Sequence, residues 1–373
     1  MVQVQTRERF LALDVFRGMT IAFMIIVNTP GSWGYVYAPL QHAQWNGFTP
    51  TDLVFPSFMF AVGNAMSFVM LKWASMSQSQ VLLKIFKRTA LIFLLGYLMY
   101  WFPFFYLDGQ HQIIGKAFSD TRVWGVLQRI GLAYGIAALI LYYFKLKPAV
   151  WIGVGFLAVY ALILIIYGPW EMGNNPVRDL DLWMLGESHM YVDSNIRFDP
   201  EGLLSTLPSV TNIIAGFWAG HFIQKKGKTF EGLSQLLLIG FGLLALAFLW
   251  NYQMPINKKM WTSTFVLLTV GLDLMILSAI IYYFDFLKFT KGSFFFEVLG
   301  KNPLVIYLLS ELLLVVFYMI PIGNTTLFTW VYDHIFSNFF GMYLGSFLMA
   351  VSYMLLCWSV GYVMDKRKIY VRI

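Results

Sequence analysis

Thiols are nearly missing from this chain of 373 residues, and its single cysteine, Cys357, excludes an intramolecular disulfide, a zinc-thiolate cluster and a CxxC redox pair together. Charge is also scarce. Asp, Glu, Lys and Arg supply 12% of the residues, against about 25% in soluble domains. The 26 Lys+Arg and 19 Asp+Glu gather between apolar runs rather than spreading along the chain, so a soluble two-domain protein is excluded. No GxGxxG or GxxxxGK[ST] run occurs, which argues against a dinucleotide fold and a nucleoside triphosphatase. No HxxxH or cysteine-rich pairing accompanies the histidines, so no metal site is expected. The net charge of +7 does not call for nucleic acid, because the basic residues sit in short loops at helix ends, where a membrane accounts for them.

What the chain does have is 59% hydrophobic and 18% aromatic residues, with a mean hydropathy of +0.66. This composition predicts an all-α polytopic membrane protein, organised as a single domain over 1–373. Ten apolar runs are long enough to cross a bilayer, at 10–29, 51–71, 81–102, 122–144, 149–167, 204–224, 232–250, 262–284, 301–320 and 341–364. The first run carries Asp14 and Arg17 and lacks an A-x-A cleavage pattern, so it is expected to stay as helix 1. Eighteen Lys and Arg fall on the N-terminal side of the spans, including Arg7, Arg9 and Arg372, against six opposite (Lys116, Arg122, Arg178, Arg197, Lys258 and Lys259). That bias predicts a multi-pass protein of a cell inner membrane with both termini in the cytoplasm.

The outward connections differ chemically from the inward ones. They hold His42, His111, His189 and His334 and most of the acids, Asp108 among them. The external loop at about 168–203 is too long for a bare connector, and its Trp170, Trp183 and Tyr191 beside acids suit either sugar stacking or an interfacial aromatic belt. Within the spans, Asp14 and Arg17 share a helix face and can neutralise each other. Asn28 lies about 16 Å further along the same helix, so a ligand lying on helix 1 could touch a basic group near the cytoplasm and an amide near the exterior.

The segment HAQWNGFTPTDLVFP, His42 to Pro56, is the most structured constellation. Thr49 or Thr51 can cap the following helix, Pro50 suits its first turn and Asp52 suits the positive end of its dipole. Local architecture could account for these residues, but His42 can also accept a proton from a nucleophile, with Asp52 as the group that orients it. Arg129 and Glu311 add charges of opposite sign inside spans, and Arg88, Lys301 and Asn302 lie toward inner helix ends. The rigid guanidinium fork suits phosphate, whereas loop lysines read as contacts to anionic lipid heads. Arg17 and Arg129 are accordingly the stronger anion ligands. Asp273, in GLDLMIL, has no evident partner and could serve structure or ligand.

LDVFRGMTIAFMIIVN followed by HAQWNGFTPTDLVFPSFMFAVG, and then VLQRI, DPEGLLSTLPS, NKKMWTSTFVLLT and LGKNPLVIY in the same order, resembles the heparan-alpha-glucosaminide N-acetyltransferase family and its bacterial relatives, within the transmembrane acyltransferases. The resemblance runs from Arg9 to Met364. It implies transfer of an acetyl group from cytosolic acetyl-CoA, as co-substrate, to the amine of a terminal glucosamine on the far side of the membrane. It implies His42 and Asn28 as the active-site residues, with Asp52 beside them, and Arg17 and Arg129 along the CoA path; by their position near inner helix ends, Arg88, Lys301 and Asn302 are expected to add cofactor contacts. A homodimer is within what the resemblance allows. The chain departs from the lysosomal enzyme in having no large luminal domain before helix 1 and a longer spacing between Asn28 and His42, so the resemblance speaks to the chemistry more than to the acceptor.

That chemistry fits the residues. The phosphate end of CoA would remain with inner basic groups while the pantetheine arm threads a narrow channel. His42 would act as general base or as a transient acyl carrier, and Asn28 would donate to the thioester oxygen or its oxyanion. The rival class is a sugar or proton-coupled transporter, which also tolerates charges inside spans. No inverted repeat supports it, since the block from Asp14 to Asp52 has no counterpart after Leu204. A noncatalytic lipid-binding or assembly protein is the third class.

Overall fold

Every apolar run lies on a helix in the computed structural model, which describes residues 11–107 and 112–371. Arg7, Arg9, Phe10, Asp108, His111 and Arg372 lie outside the described residues. In order, the helices are α1 (Leu11–Asn28), α2 (Val54–Val69), α3 (Gln78–Trp101), α4 (Val126–Phe144), α5 (Leu146–Tyr167), α6 (Pro176–Leu185) and α7 (Leu203–Lys226). They continue with α8 (Phe230–Trp250), α9 (Ser263–Ile281), α10 (Ser293–Lys301), α11 (Pro303–Met319), α12 (Leu327–Val331), α13 (Asn338–Phe340) and α14 (Met342–Lys366). Three two-stranded hairpins decorate the connections: β1 (Phe105–Leu107) with β2 (Ile113–Gly115), β3 (Val192–Asp193) with β4 (Ile196–Arg197), and β5 (Pro321–Ile322) with β6 (Thr325–Thr326).

Among the described residues, seven helical spans are long and apolar enough to cross a membrane, and an eighth is added if α10 and α11 are one span bent by 82°. Strongly exposed apolar side chains such as Trp151, Ile166, Phe241 and Leu249 line the outside of α5 and α8, a distribution that only a lipid surround stabilises. The chain is therefore a multi-pass helical membrane protein. Helices α3 and α7 fall outside that set of eight. The first carries Lys84, Lys87 and Arg88, and the second is polar at Ser205, Thr206, Ser209, Thr211 and Asn212. Run 122–144 also starts later than its apolar pattern suggests, because α4 begins at Val126 and leaves Arg122 in an extended segment.

Helix packing explains two of the small-residue positions. A side chain at Gly216 would meet the Phe60 carbonyl oxygen, and one at Gly63 the Ile213 carbonyl oxygen, so α2 and α7 cross with their backbones in contact. The GFWAG run of α7 is the sequence signature of this contact, since small residues four apart form one groove. Likewise Gly18 and Gly300 fit α1 against α10, where a side chain at Gly18 would enter the Phe296 carbonyl. Between α10 and α11 the chain turns at Asn302, and Pro303 opens α11 where its missing N–H costs nothing.

The long connections are folded. In the 168–203 loop, the Asn175 side chain accepts from the Arg178 N–H at 3.0 Å to cap α6, and Asp181 accepts from the Leu203 N–H at 3.0 Å to hold α6 against the start of α7. Val177 and Phe198 from this loop pack with Tyr160, Leu164, Met254 and Met260 into a small core of their own. Its aromatics divide in use. Trp170 donates to the Leu164 carbonyl at 2.6 Å and its own carbonyl accepts from Trp45 at 2.8 Å, while Trp183 is 82% exposed.

Candidate active site

The site is built on the turn between α1 and α2. Thr49 and Pro50 start the helical turn Pro50–Leu53, which leads directly into α2 and seats Asp52 in the first turn. One carboxylate oxygen of Asp52 accepts from the Ala43 N–H at 3.1 Å, the Thr49 N–H at 3.0 Å and the Thr49 hydroxyl at 3.1 Å. The other lies 2.7 Å from Nδ1 of His42. Asp52 is fully buried, whereas the His42 side chain is 41% exposed. Because Asp52 can only accept in its ionised form, Nδ1 carries the hydrogen and Nε2 keeps its lone pair toward the open side. The carboxylate thus fixes both the tautomer and the ring plane of a base.

A second loop closes on this one. The Gly47 N–H donates to the Ile256 carbonyl at 2.8 Å and the Asn257 amide donates to Asn46 at 3.1 Å, which zips the connection between α8 and α9 onto the His42 loop. Lys258 is thereby delivered to the imidazole, with Nζ 3.0 Å from Nδ1, 3.4 Å from Nε2 and 3.6 Å from the Asp52 carboxylate. Burial lowers the His42 pKa from the ordinary imidazole value, the Lys258 charge lowers it further, and the hydrogen bond and charge of Asp52 oppose this only in part. Glu201 is near enough to bear electrostatically on both His42 and Lys258.

From Glu201 a line of polar groups leads inward. Arg122 donates to Glu201 at 2.5 Å, grips Asp199 through Nε at 3.0 Å and Nη2 at 2.6 Å, and reaches the Tyr100 hydroxyl at 3.3 Å. Its guanidinium also lies between the Tyr100 and Tyr191 rings, at 4.9 and 4.6 Å from their centroids. Tyr100 and Tyr307 lie within electrostatic reach of Glu201, Arg122 and Glu311. Glu311, one turn along α11 from Tyr307, lies near enough to the Asn28 side chain to be influenced by it. Asn28, through Glu311, and His42, through Glu201, both border this group of polar residues.

The anion ligands proposed from sequence separate into two groups. Arg17 on α1 donates to the Gly300 carbonyl at 3.2 Å, lies 3.7 Å from Asp14 and shares its neighbourhood with Arg88. Arg88 stacks over the Tyr134 ring at 4.6 Å. Arg129 is not with them. It is fully buried near the N-terminal end of α4, donates to the Gly202 carbonyl at 3.2 Å and to Ser205, and lies 4.9 Å from the Trp261 ring centroid. Asp181, Asp199 and Glu201 supply its electrostatic partners, so it sits with the residues around Arg122 rather than with Arg17. Lys301 is engaged by Asp365 at 2.8 Å, and Asn302 clamps the C-terminal segment by donating to the Ile369 carbonyl and accepting from the Val371 N–H, each at 2.9 Å. Asp273 finds its partner in the Ser57 hydroxyl.

Sequence reading passed over Lys258, Glu201 and Arg122 as site residues. The available signal was the polar NKK run within an otherwise apolar half of the chain and the DPEG turn before α7, both of which bring charge to the same end of the bundle.

Residues 9–237 match the family described as heparan-alpha-glucosaminide N-acetyltransferase, catalytic. The chain is similar to heparan-alpha-glucosaminide N-acetyltransferase of Homo sapiens, 24% identical over 361 residues, which cover 81% of this chain and 53% of that protein. It is similar to the Mus musculus enzyme of the same name at 24% identity over 373 residues, covering 83% and 55% respectively. The chain spans about half the length of these curated relatives. The matched segment contains α1, the His42–Asp52 turn and Glu201, and with that segment the chain belongs to the heparan-alpha-glucosaminide N-acetyltransferase catalytic family, among the membrane acyltransferases.

Proposed function

We propose that this protein takes the acetyl group of cytosolic acetyl-CoA and places it on the amine of a glucosamine-type sugar at the periplasmic face of an inner membrane. The observation that carries this reading is the imidazole of His42, fixed by buried Asp52 in the tautomer that leaves Nε2 free. We count α3 and α7 as spans besides the eight, which makes ten and puts both termini on one side; the excess of Lys and Arg on that side makes it the cytoplasm and leaves His42 outside. Helices of 24 residues such as these two extend about 36 Å, enough for the hydrocarbon core.

In the reaction the acceptor ammonium first loses a proton to water. The neutral amine nitrogen then attacks the thioester carbonyl carbon, a C–N bond forms, and Nε2 of His42 takes the second proton. Asn28 donates to the developing oxyanion. As the C–S bond breaks, the imidazolium returns its proton to the departing thiolate, so that CoA leaves as the thiol. A transient acetyl-histidine on Nε2 would split the same transfer into two steps. At the inner end, Arg17 and Arg88 form the basic pair suited to the CoA phosphates.

Purified protein given labelled acetyl-CoA and a panel of amino sugars should form N-acetylated sugar, and vesicles containing it should show no acetyl-independent sugar uptake. Uptake without acetylation would favour the transporter. The donor assignment has its own test. Arg17→Gln and Arg88→Gln should each weaken CoA binding about tenfold or more, the range for losing a charge-assisted hydrogen bond, while Arg129→Gln should leave CoA affinity unchanged and lower folded stability. Unchanged affinity in folded Arg17→Gln and Arg88→Gln proteins would assign both arginines to helix packing.

A further inference from the structure

The connection between α8 and α9 brings Lys258 against a base that already has its carboxylate partner. Nδ1 of His42 lies 2.7 Å from Asp52 and 3.0 Å from Nζ of Lys258, yet a ring nitrogen has one in-plane bonding direction and cannot donate to one group while accepting from the other. Nζ is also 3.4 Å from Nε2. A nitrogen nearly equidistant from both ring nitrogens at this range, if placed in the ring plane, would collide with the carbon between them. The ammonium therefore stands over the face of the imidazole and makes no conventional hydrogen bond to it.

We infer that Lys258 is a positioning residue for the proton transfer: its charge, held over the ring, keeps His42 in the neutral form that can accept a proton and makes the imidazolium, once formed, a ready donor to the leaving thiolate. The inference deepens the reading of His42 as the base in acetyl transfer and rests on it for its catalytic meaning, though not for its measurement. The groups that bear on the ring are Asp52, which favours imidazolium, Glu201, which does so from further away, and Lys258, which opposes both. Lys259, next in the chain, is turned away to Asp193 at 2.5 Å. The Lys258 side chain is only 18% exposed, so solvent screens its charge weakly. Burial lowers its own pKa, and Asp52 and Glu201 support the charged form.

The resting state can be read without any acetyl transfer. The rate at which diethylpyrocarbonate modifies His42 in the full-length protein, followed by mass spectrometry of its peptide from pH 4.5 to 8.5, reports the midpoint at which the ring gives up its proton; His42→Ala supplies the blank. The wild-type midpoint should lie below that of a free imidazole. Lys258→Met and Lys258→Gln should raise it by about 1–3 pH units, the span expected for a charge within this distance, and Lys258→Arg should leave it near the wild-type value. In acetyl transfer the acidic limb of the pH profile should move by the same amount. A wild-type midpoint at or above the free-imidazole value overturns the inference even if no variant folds, and so does an unmoved midpoint in folded Lys258→Met. A midpoint that moves in protein that transfers no acetyl group sustains the charge relation while removing the proposed activity, which keeps the two failures apart.

Discussion

His42→Ala is expected to reduce acetyl transfer by about 10²–10⁴-fold, the usual contribution of a placed general base. Asp52 holds Nδ1 at 2.7 Å, so Nε2 is the ring nitrogen left to receive the amine proton. His189 donates through Nδ1 to the Thr121 carbonyl at 2.8 Å, and His334 donates to the Trp330 carbonyl at 3.1 Å. The pH dependence gives the result its meaning. Because the acceptor sheds its first proton to water in both proteins, both rates should rise with the free-amine fraction; wild type should show in addition an acidic limb at the lowered midpoint of His42, which His42→Ala should lack. If acetyl-histidine is an obligatory intermediate, alkaline pH should rescue nothing. CoA affinity should be unchanged, since Arg17 and Arg88 are not among the groups that bear on His42. Near-normal turnover in the variant would sink both versions of the mechanism. Asp52 is a poorer test, because its carboxylate also holds Ala43 and Thr49, and its removal would loosen the whole turn.

Helix periodicity made the depth of each polar residue legible in the sequence, while leaving open the direction it faces. Seven or eight of the ten runs were clear as spans, because about twenty apolar residues have few alternatives to crossing a membrane. His42 and Asp52 were clear because they are ten residues apart in one capped turn, so local geometry alone sets their distance. Lys258 is a different case. It reaches the imidazole from 216 positions away, and only the pairing of Gly47 with Ile256 and of Asn46 with Asn257 brings it there. Arg129 illustrates the missing angle: as a charge inside a span it looked equivalent to Arg17, yet α4 turns it toward Gly202, Ser205 and Trp261. Lys301 and Asn302 were read as inner-end ligands from position alone. The bend between α10 and α11 was not legible, and it is this bend that commits Lys301 to Asp365 and Asn302 to the C-terminal segment.

Asn28→Ala is expected to lower turnover by about 10²–10³-fold, the cost of deleting one oxyanion donor, with little change in the shape of the pH profile. Asn28 ends α1, and Glu311 on α11 lies near enough to feel its side chain. An amide NH₂ has two hydrogens, so one offered to Glu311 leaves the other for the substrate oxygen, and the carboxylate would then set where it points. Glu311→Gln retains a carbonyl acceptor and should therefore cost much less than Glu311→Leu, which frees the amide to rotate. Pre-organisation predicts more than two separate losses. Because Glu311 acts through Asn28, adding Glu311→Leu to Asn28→Ala should reduce turnover little beyond Asn28→Ala alone, the non-additivity of residues that work as a unit. Turnover of the four proteins at saturating acetyl-CoA, with CoA affinity as the control for folding, decides it. Additive losses would separate Glu311 from the oxyanion donor, and a pH-rescued Asn28→Ala would mean that the amide handles a proton rather than developing negative charge.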